Sequence, residues 1–144
     1  MRKTARRAVF VIGLLSMSYA RSIPAQQDAT ISDKEIRVID YQEMKYPPLA
    51  LQTRVQGLVV VQAKLDNDGK VAEASAISGS ELLAPHCLAN VKKWRFQPNA
   101  HHAVVIVYNF RLSYAAGCKS AGSFFTLEAP NFVTVTDCAM TVQP

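Results

Sequence analysis

Residues 58–65 alternate along the chain. Val59, Val61, Ala63 and Leu65 fall on one side, and Leu58, Val60, Gln62 and Lys64 on the other. A period of two with one strongly apolar face predicts a half-buried strand. Asp66, Asn67, Asp68 and Gly69 follow, the residue types of a hairpin turn, with Gly69 free to take positive φ. Residues 70–78 (KVAEASAIS) then form the return strand, although their alanines leave its inward face undecided. The period next becomes helical. Leu83, Cys87, Leu88, Val91 and Trp94 share one helix face, and Pro85 fits only in the first turn. Ser78, Gly79 and Ser80 read as the preceding turn and cap, and Lys92 and Lys93 are expected in the last turn, where they favour the helix dipole. Pro98 stops regular structure. Alternation returns over residues 103–113, with Val104, Ile106, Tyr108, Phe110 and Leu112 on one side and Ala103, Val105, Val107, Asn109 and Arg111 on the other.

Upstream, Pro47 and Pro48 suit the first turn of a short helix (PLALQTRV) that Gly57 is expected to end. The order helix, strand, turn, strand, helix, strand predicts an α+β fold, a small antiparallel sheet with two helices on one face. A tail follows. Residues 115–122 have loop composition, and two β-prone runs, SFFTLE and NFVTVTD, are split by Ala129 and Pro130. Phe132, Val133 and Val135 need a surface to cover them, since an exposed apolar strand is an aggregation hazard. Part of residues 123–137 is therefore expected either to dock at or beside the strand of residues 104–111, or to form a separate hairpin elsewhere on the sheet.

The front of the chain changes the reading of charge. MRKTARR is basic, and the following AVFVIGLLSMSYA is apolar and ends in small residues. This is the layout of a secretory signal peptide, shorter than the roughly 20 apolar residues of a spanning helix. Cleavage is expected after Ala20 or Ala25, with an uncleaved inner-membrane anchor as the alternative. The whole chain carries a net charge of +5, but residues 1–25 hold Arg2, Lys3, Arg6, Arg7 and Arg21 and no acid. The rest is neutral overall, which gives no support for nucleic-acid binding. The expected organisation is a signal peptide at 1–25, a polar linker at 26–35, a domain at 36–114 and a C-terminal β extension at 115–144.

Three cysteines remain after export. In an oxidising compartment a pair is expected to bond, and Cys118 with Cys138 is favoured because they bracket the last segment. Cys87 is then a buried small hydrophobe. The candidate chemistry is confined to His86, Cys87, His101 and His102, which would serve a metal- or thiol-dependent periplasmic enzyme. Adjacent residues on a helix diverge by about 100°, so His86 and Cys87 are poorly placed to chelate together. A catalytic thiol would also need exposure and a low pKa, against which the apolar helix position of Cys87 argues. No nucleophile elbow, Cys-x-x-Cys or phosphate loop is present. No cofactor and no small-molecule substrate are expected.

Taken in order, YPPLA, GLVVVQAKLDNDGKV, LANVKKWRFQP and VVIVYNFRL resemble the C-terminal domain of the TonB family across roughly residues 36–113. The motif positions are Tyr46, Pro47, Gly57, Gly69, Trp94, Arg95, Phe96 and Pro98. The resemblance implies a periplasmic binding module and no enzyme. Its partner would be an extended peptide of an outer-membrane TonB-dependent transporter or another envelope protein, taken by β-strand addition. Carried over, the partner-binding edge is Val104, Val105, Ile106, Val107, Tyr108, Asn109, Phe110 and Arg111. A second copy of the chain would use the same edge. Trp94 and Phe96 are expected in the core, and Tyr46 and Pro47 to fix the path of the chain. Residues 26–45 hold no proline and so do not resemble the Pro-rich spacer of a full energy transducer.

Overall fold

The computed structural model describes residues 36–115, 118 and 122–139. The expected signal peptide and linker lie outside them. The elements are β1 (Val38–Asp40), α1 (Pro48–Gln52), β2 (Gly57–Leu65), β3 (Val71–Ser78), α2 (Ala84–Val91), β4 (Arg95–Phe96), β5 (Ala103–Ser113), β6 (Phe124–Ala129) and β7 (Phe132–Cys138). Five strands form one sheet in the order β3-β2-β5-β7-β6, and β1 pairs with β4 in a second, two-stranded sheet. The α+β class is as expected.

The alternation of β2 and β5 sets the layers. Val59, Val61, Ala63 and Leu65 are buried, as are Val104, Ile106, Tyr108, Phe110 and Leu112. The two strands run antiparallel, from Gly57 opposite Phe110 to Lys64 opposite Ala103. Both apolar sets thus face the same side, where Ala50 of α1 and Cys87 and Val91 of α2 complete the core. The turn before β3 forms as its residues predict. Asp66 Oδ1 accepts from the backbone N–H groups of Asp68 and Lys70, and Gly69 takes φ 78°.

The helix ends differ from expectation. α1 stops at Gln52, and Arg54 (φ 55°), not Gly57, takes the left-handed conformation behind it; Gly57 opens β2 at φ 127°. α2 stops at Val91 with Lys92 as its C-cap, so Lys92 and Lys93 lie beyond the last turn. Trp94 leaves the helix because its N–H bonds the Val91 carbonyl in a tight turn that sends its ring into the core. At the other end the cap is Leu83, without a side-chain bond. Ser80 acts one turn earlier, its Oγ accepting from Leu82 N–H and its carbonyl from Leu83 and Ala84.

The Trp-Arg-Phe segment has a structural role that spacing did not reveal. Phe96 pairs with Val38 of β1 on one side, and on the other its N–H donates to the Gly69 carbonyl at 2.8 Å. The hairpin turn and β4 therefore lie back to back. A Cβ at Gly69 would overlap the Phe96 carbonyl oxygen, in a backbone conformation that side chains already disfavour. Gly69→Ala is expected to cost about 2 kcal/mol or more, from left-handed strain plus displaced backbone. Urea unfolding measures this, and a loss below about 0.5 kcal/mol would contradict the close approach.

Candidate partner-binding site

β5 is not an edge. On one side it pairs with β2, and on the other with β7 in parallel, from Val107 opposite Phe132 to Ser113 opposite Cys138. The pairing continues at both ends, where Val107 N–H donates to the Asn131 carbonyl and Ala139 N–H to Ser113. Of the residues expected to form an open edge, Val107, Tyr108, Asn109, Phe110 and Arg111 are covered. Val104, Val105 and Ile106 lie beyond the β7 register. Of the two places foreseen for the tail, the structure holds the one against β5. The tail reaches that edge because 18 residues separate β5 from β7, enough for the crossover that a parallel pair requires. β6 runs down the outside, and β7 returns between β6 and β5.

Several contacts hold the hairpin there. Val133 and Val135 are fully buried on the core face, together contributing on the order of 3–6 kcal/mol as an upper estimate. Phe125 stacks on Tyr41 with ring centroids 5.8 Å apart and meets the Trp94 edge at 6.3 Å. Tyr46 N–H donates to Ser123 Oγ at 2.6 Å, and Ser123 Oγ donates to Asp137 Oδ2 at 2.7 Å. The other carboxylate oxygen of Asp137 accepts from Cys138 N–H. Cys118 and Cys138 form a disulfide with Cα atoms 5.7 Å apart, as expected. Closing a loop of that length contributes roughly 3 kcal/mol in the chain-entropy model.

The motif aromatics sit beneath this sheet. Tyr46, Trp94 and Phe96 are buried, in line with core roles. Tyr46 lies edge-on to Phe110, its hydroxyl donating to the Val55 carbonyl at 2.6 Å. Pro47 is buried beside it, and Arg95 and Pro98 are exposed. A buried polar node, Asn90, was missed. Its Oδ1 accepts from Trp94 Nε1 at 3.0 Å and Tyr108 Oη at 2.9 Å, while its Nδ2 donates to the Gln42 carbonyl. An asparagine three residues after Cys87 and four before Trp94, on an apolar helix face, was the available signal.

The candidate enzyme residues do not come together. His86 is exposed on α2, and His101 and His102 are exposed in the loop before β5. Among the described residues no group of three metal-capable side chains is placed to hold an ion. Cys87 is fully buried, and burial pushes its thiol up to about 12, so it is not a nucleophile at neutral pH.

The fold is thus an α+β domain with its motif aromatics Tyr46, Trp94 and Phe96 in the core. A family model described as Gram-negative bacterial TonB protein C-terminal matches residues 42–115, just over half of the chain. The chain belongs to that family, one of envelope protein-interaction domains. The comparison with curated proteins and that with solved structures each give no match.

Burial also sets an alkaline limit. Cys87 and Tyr46 are both raised to about 12, from ordinary values of 9.0 and 10.0, chiefly by burial, and Tyr108 is raised too. The folded chain therefore keeps protons that the unfolded chain loses. The stability they contribute is complete below about pH 9 and disappears as pH rises toward 12. Denaturation midpoints should be level from pH 6 to 8 and fall above 9, with a shallower fall in Cys87→Ala. A midpoint that rises between pH 9 and 11 would contradict these assignments.

Proposed function

We propose that this chain is an exported, periplasmic interaction module that binds an extended segment of an outer-membrane transporter, or of another envelope protein, by β-strand addition. The observation that carries this reading is the family match over residues 42–115, lying on a sheet whose outer strands offer backbone to a partner. The Cys118–Cys138 bridge supports an oxidising compartment. At the edge inferred from the family, residues 104–111, a peptide reaches the covered part only by displacing β7; residues 104–106 offer the remainder. A role in TonB-dependent transport belongs to the same proposal.

Two measurements test it. Calorimetry with peptides of about ten residues from the periplasmic N-termini of such transporters should find at least one micromolar ligand. N-methylation of its alternate amides should then divide by register, weakening binding tenfold or more in one set and little in the other, because only one set faces the edge. Equal tolerance of both sets would remove strand addition, and silence across the panel would remove the transporter. Separately, N-terminal sequencing of the exported product should begin at Arg21 or Gln26, and an intact Met1 would refute export with cleavage.

A further inference from the structure

A sheet accepts a strand only at an outer strand, where backbone N–H and C=O groups are unpaired. β5 is an inner strand here, and the hairpin that covers it is fastened by buried valines, the Tyr46–Ser123–Asp137 chain and a disulfide. Among the described residues the outer strands of the five-stranded sheet are β3 and β6. They differ in how regular they are. β3 breaks register with β2 twice, at Val60/Val61 and at Lys64/Leu65, and carries Glu73, ion-paired with Lys64. Bulges and charges are the devices that turn a neighbouring strand away. β6 has its own shift at Leu127/Ala129 and carries Glu128, but from Phe124 to Leu127 its register with β7 is unbroken and free of charge. Phe124 is 62% exposed within that regular stretch, whereas the comparably exposed Ile77 of β3 sits at the Val60/Val61 irregularity.

We propose that residues 124–127 of β6 form the strand-accepting edge of this chain, and that the occupant is a short extended segment of another protein. This rests on the strand-addition reading above and moves its site from β5 to the far side of the hairpin. The choice of occupant follows from size. Six residues of strand span about 20 Å, and one edge of that length falls well short of the roughly 1,200 Å² that a stable interface between folded bodies buries. An extended peptide needs no such area, since backbone bonds along the edge and a few alternate side chains hold it. Its chemistry is set by the pleat. Phe125 and Leu127 pack toward the core, while Phe124 and Thr126 are exposed on the opposite face of the sheet. The partner therefore presents an apolar or β-branched side chain beside Phe124.

The test uses the full oxidised chain carrying a Thr-Val repeat peptide, attached irreversibly through a maleimide at Glu128→Cys near the end of β6 or at Ser78→Cys at the end of β3. Attachment makes pairing intramolecular, so a competent edge takes the strand without a specific ligand. Exchange of the outward-facing amides within residues 124–127 should slow at least tenfold in the first conjugate, and exchange in β3 should be unchanged in the second. Adding Phe124→Lys should abolish the protection. Protection at β3, at residues 104–106, or nowhere would overturn the proposal. Free transporter peptides separate it from the broader reading. Tethered protection without free binding removes the transporter and leaves the β6 edge standing. Free binding whose protection falls on β5 leaves the transporter and removes the β6 edge. A dimer seen in sedimentation and dissolved by Phe124→Lys would overturn the choice of occupant.

Discussion

β5 is paired on both backbone edges from Val107 to Phe110, and the placing of the other elements depends on that constraint. An eleven-residue strand with five buried side chains on one face needs cover along its whole length. β2, α1 and α2 supply it over one half. The far half, toward Phe110 and Leu112, lies beside β7, where Val133 and Val135 extend the same apolar face by another strand. The extension is therefore part of the core. Its position also gives Tyr46 N–H an acceptor in Ser123, so the Tyr-Pro segment that starts α1 is tied to the residue that leads into β6.

Asn90 is the polar counterpart of that arrangement. A buried indole N–H and a buried tyrosine hydroxyl each need a partner, and one amide oxygen serves both. The same side chain donates to the Gln42 carbonyl, which joins α2, β5 and the segment before Tyr46. Because Trp94 leaves the helix in a tight turn, its ring reaches this node while Arg95 and Phe96 continue as strand. A shared acceptor of this kind fixes one arrangement of the aromatics; an apolar residue would take the acceptor from the Tyr108 hydroxyl and leave the Trp94 indole only its longer bond to the Gln42 carbonyl, at 3.3 Å.

The elements that could be read from the sequence are those whose period has a single physical cause. β2 and β5 alternate because one face is buried and the other is not, and each buried residue fell where alternation put it. The Asp-rich turn was legible because its side chains bond their own backbone. The failures lie where tertiary contact overrides local preference. α2 ends early because Trp94 is drawn inward, and β1, only three residues long, is defined by the partner Phe96 and by no pattern of its own. The candidate edge was legible as a strand but not as an edge, since whether a strand is outermost depends on what lies beside it. Phe124 drew no notice for the same reason: its exposure follows from the register of β6 on β7.

Adding a hairpin to an open sheet does not remove its outer strand. Only closure into a barrel does that, and among the described residues the five strands in the order β3-β2-β5-β7-β6 are open at both ends. What the extension changes is the quality of the edge. An eleven-residue strand rooted in the core is replaced at the rim by a six-residue strand with half-buried Phe125 and Leu127 on one side and exposed Phe124 on the other. A shorter edge pairs with fewer backbone groups, so a larger share of any partner's discrimination passes to side chains such as Phe124. The 11-residue β5 meanwhile keeps both of its ladders and holds the fold together. If a partner strand is taken at residues 124–127, as proposed, binding and stability rest on different strands, and the partner can come and go at the rim without the core being opened.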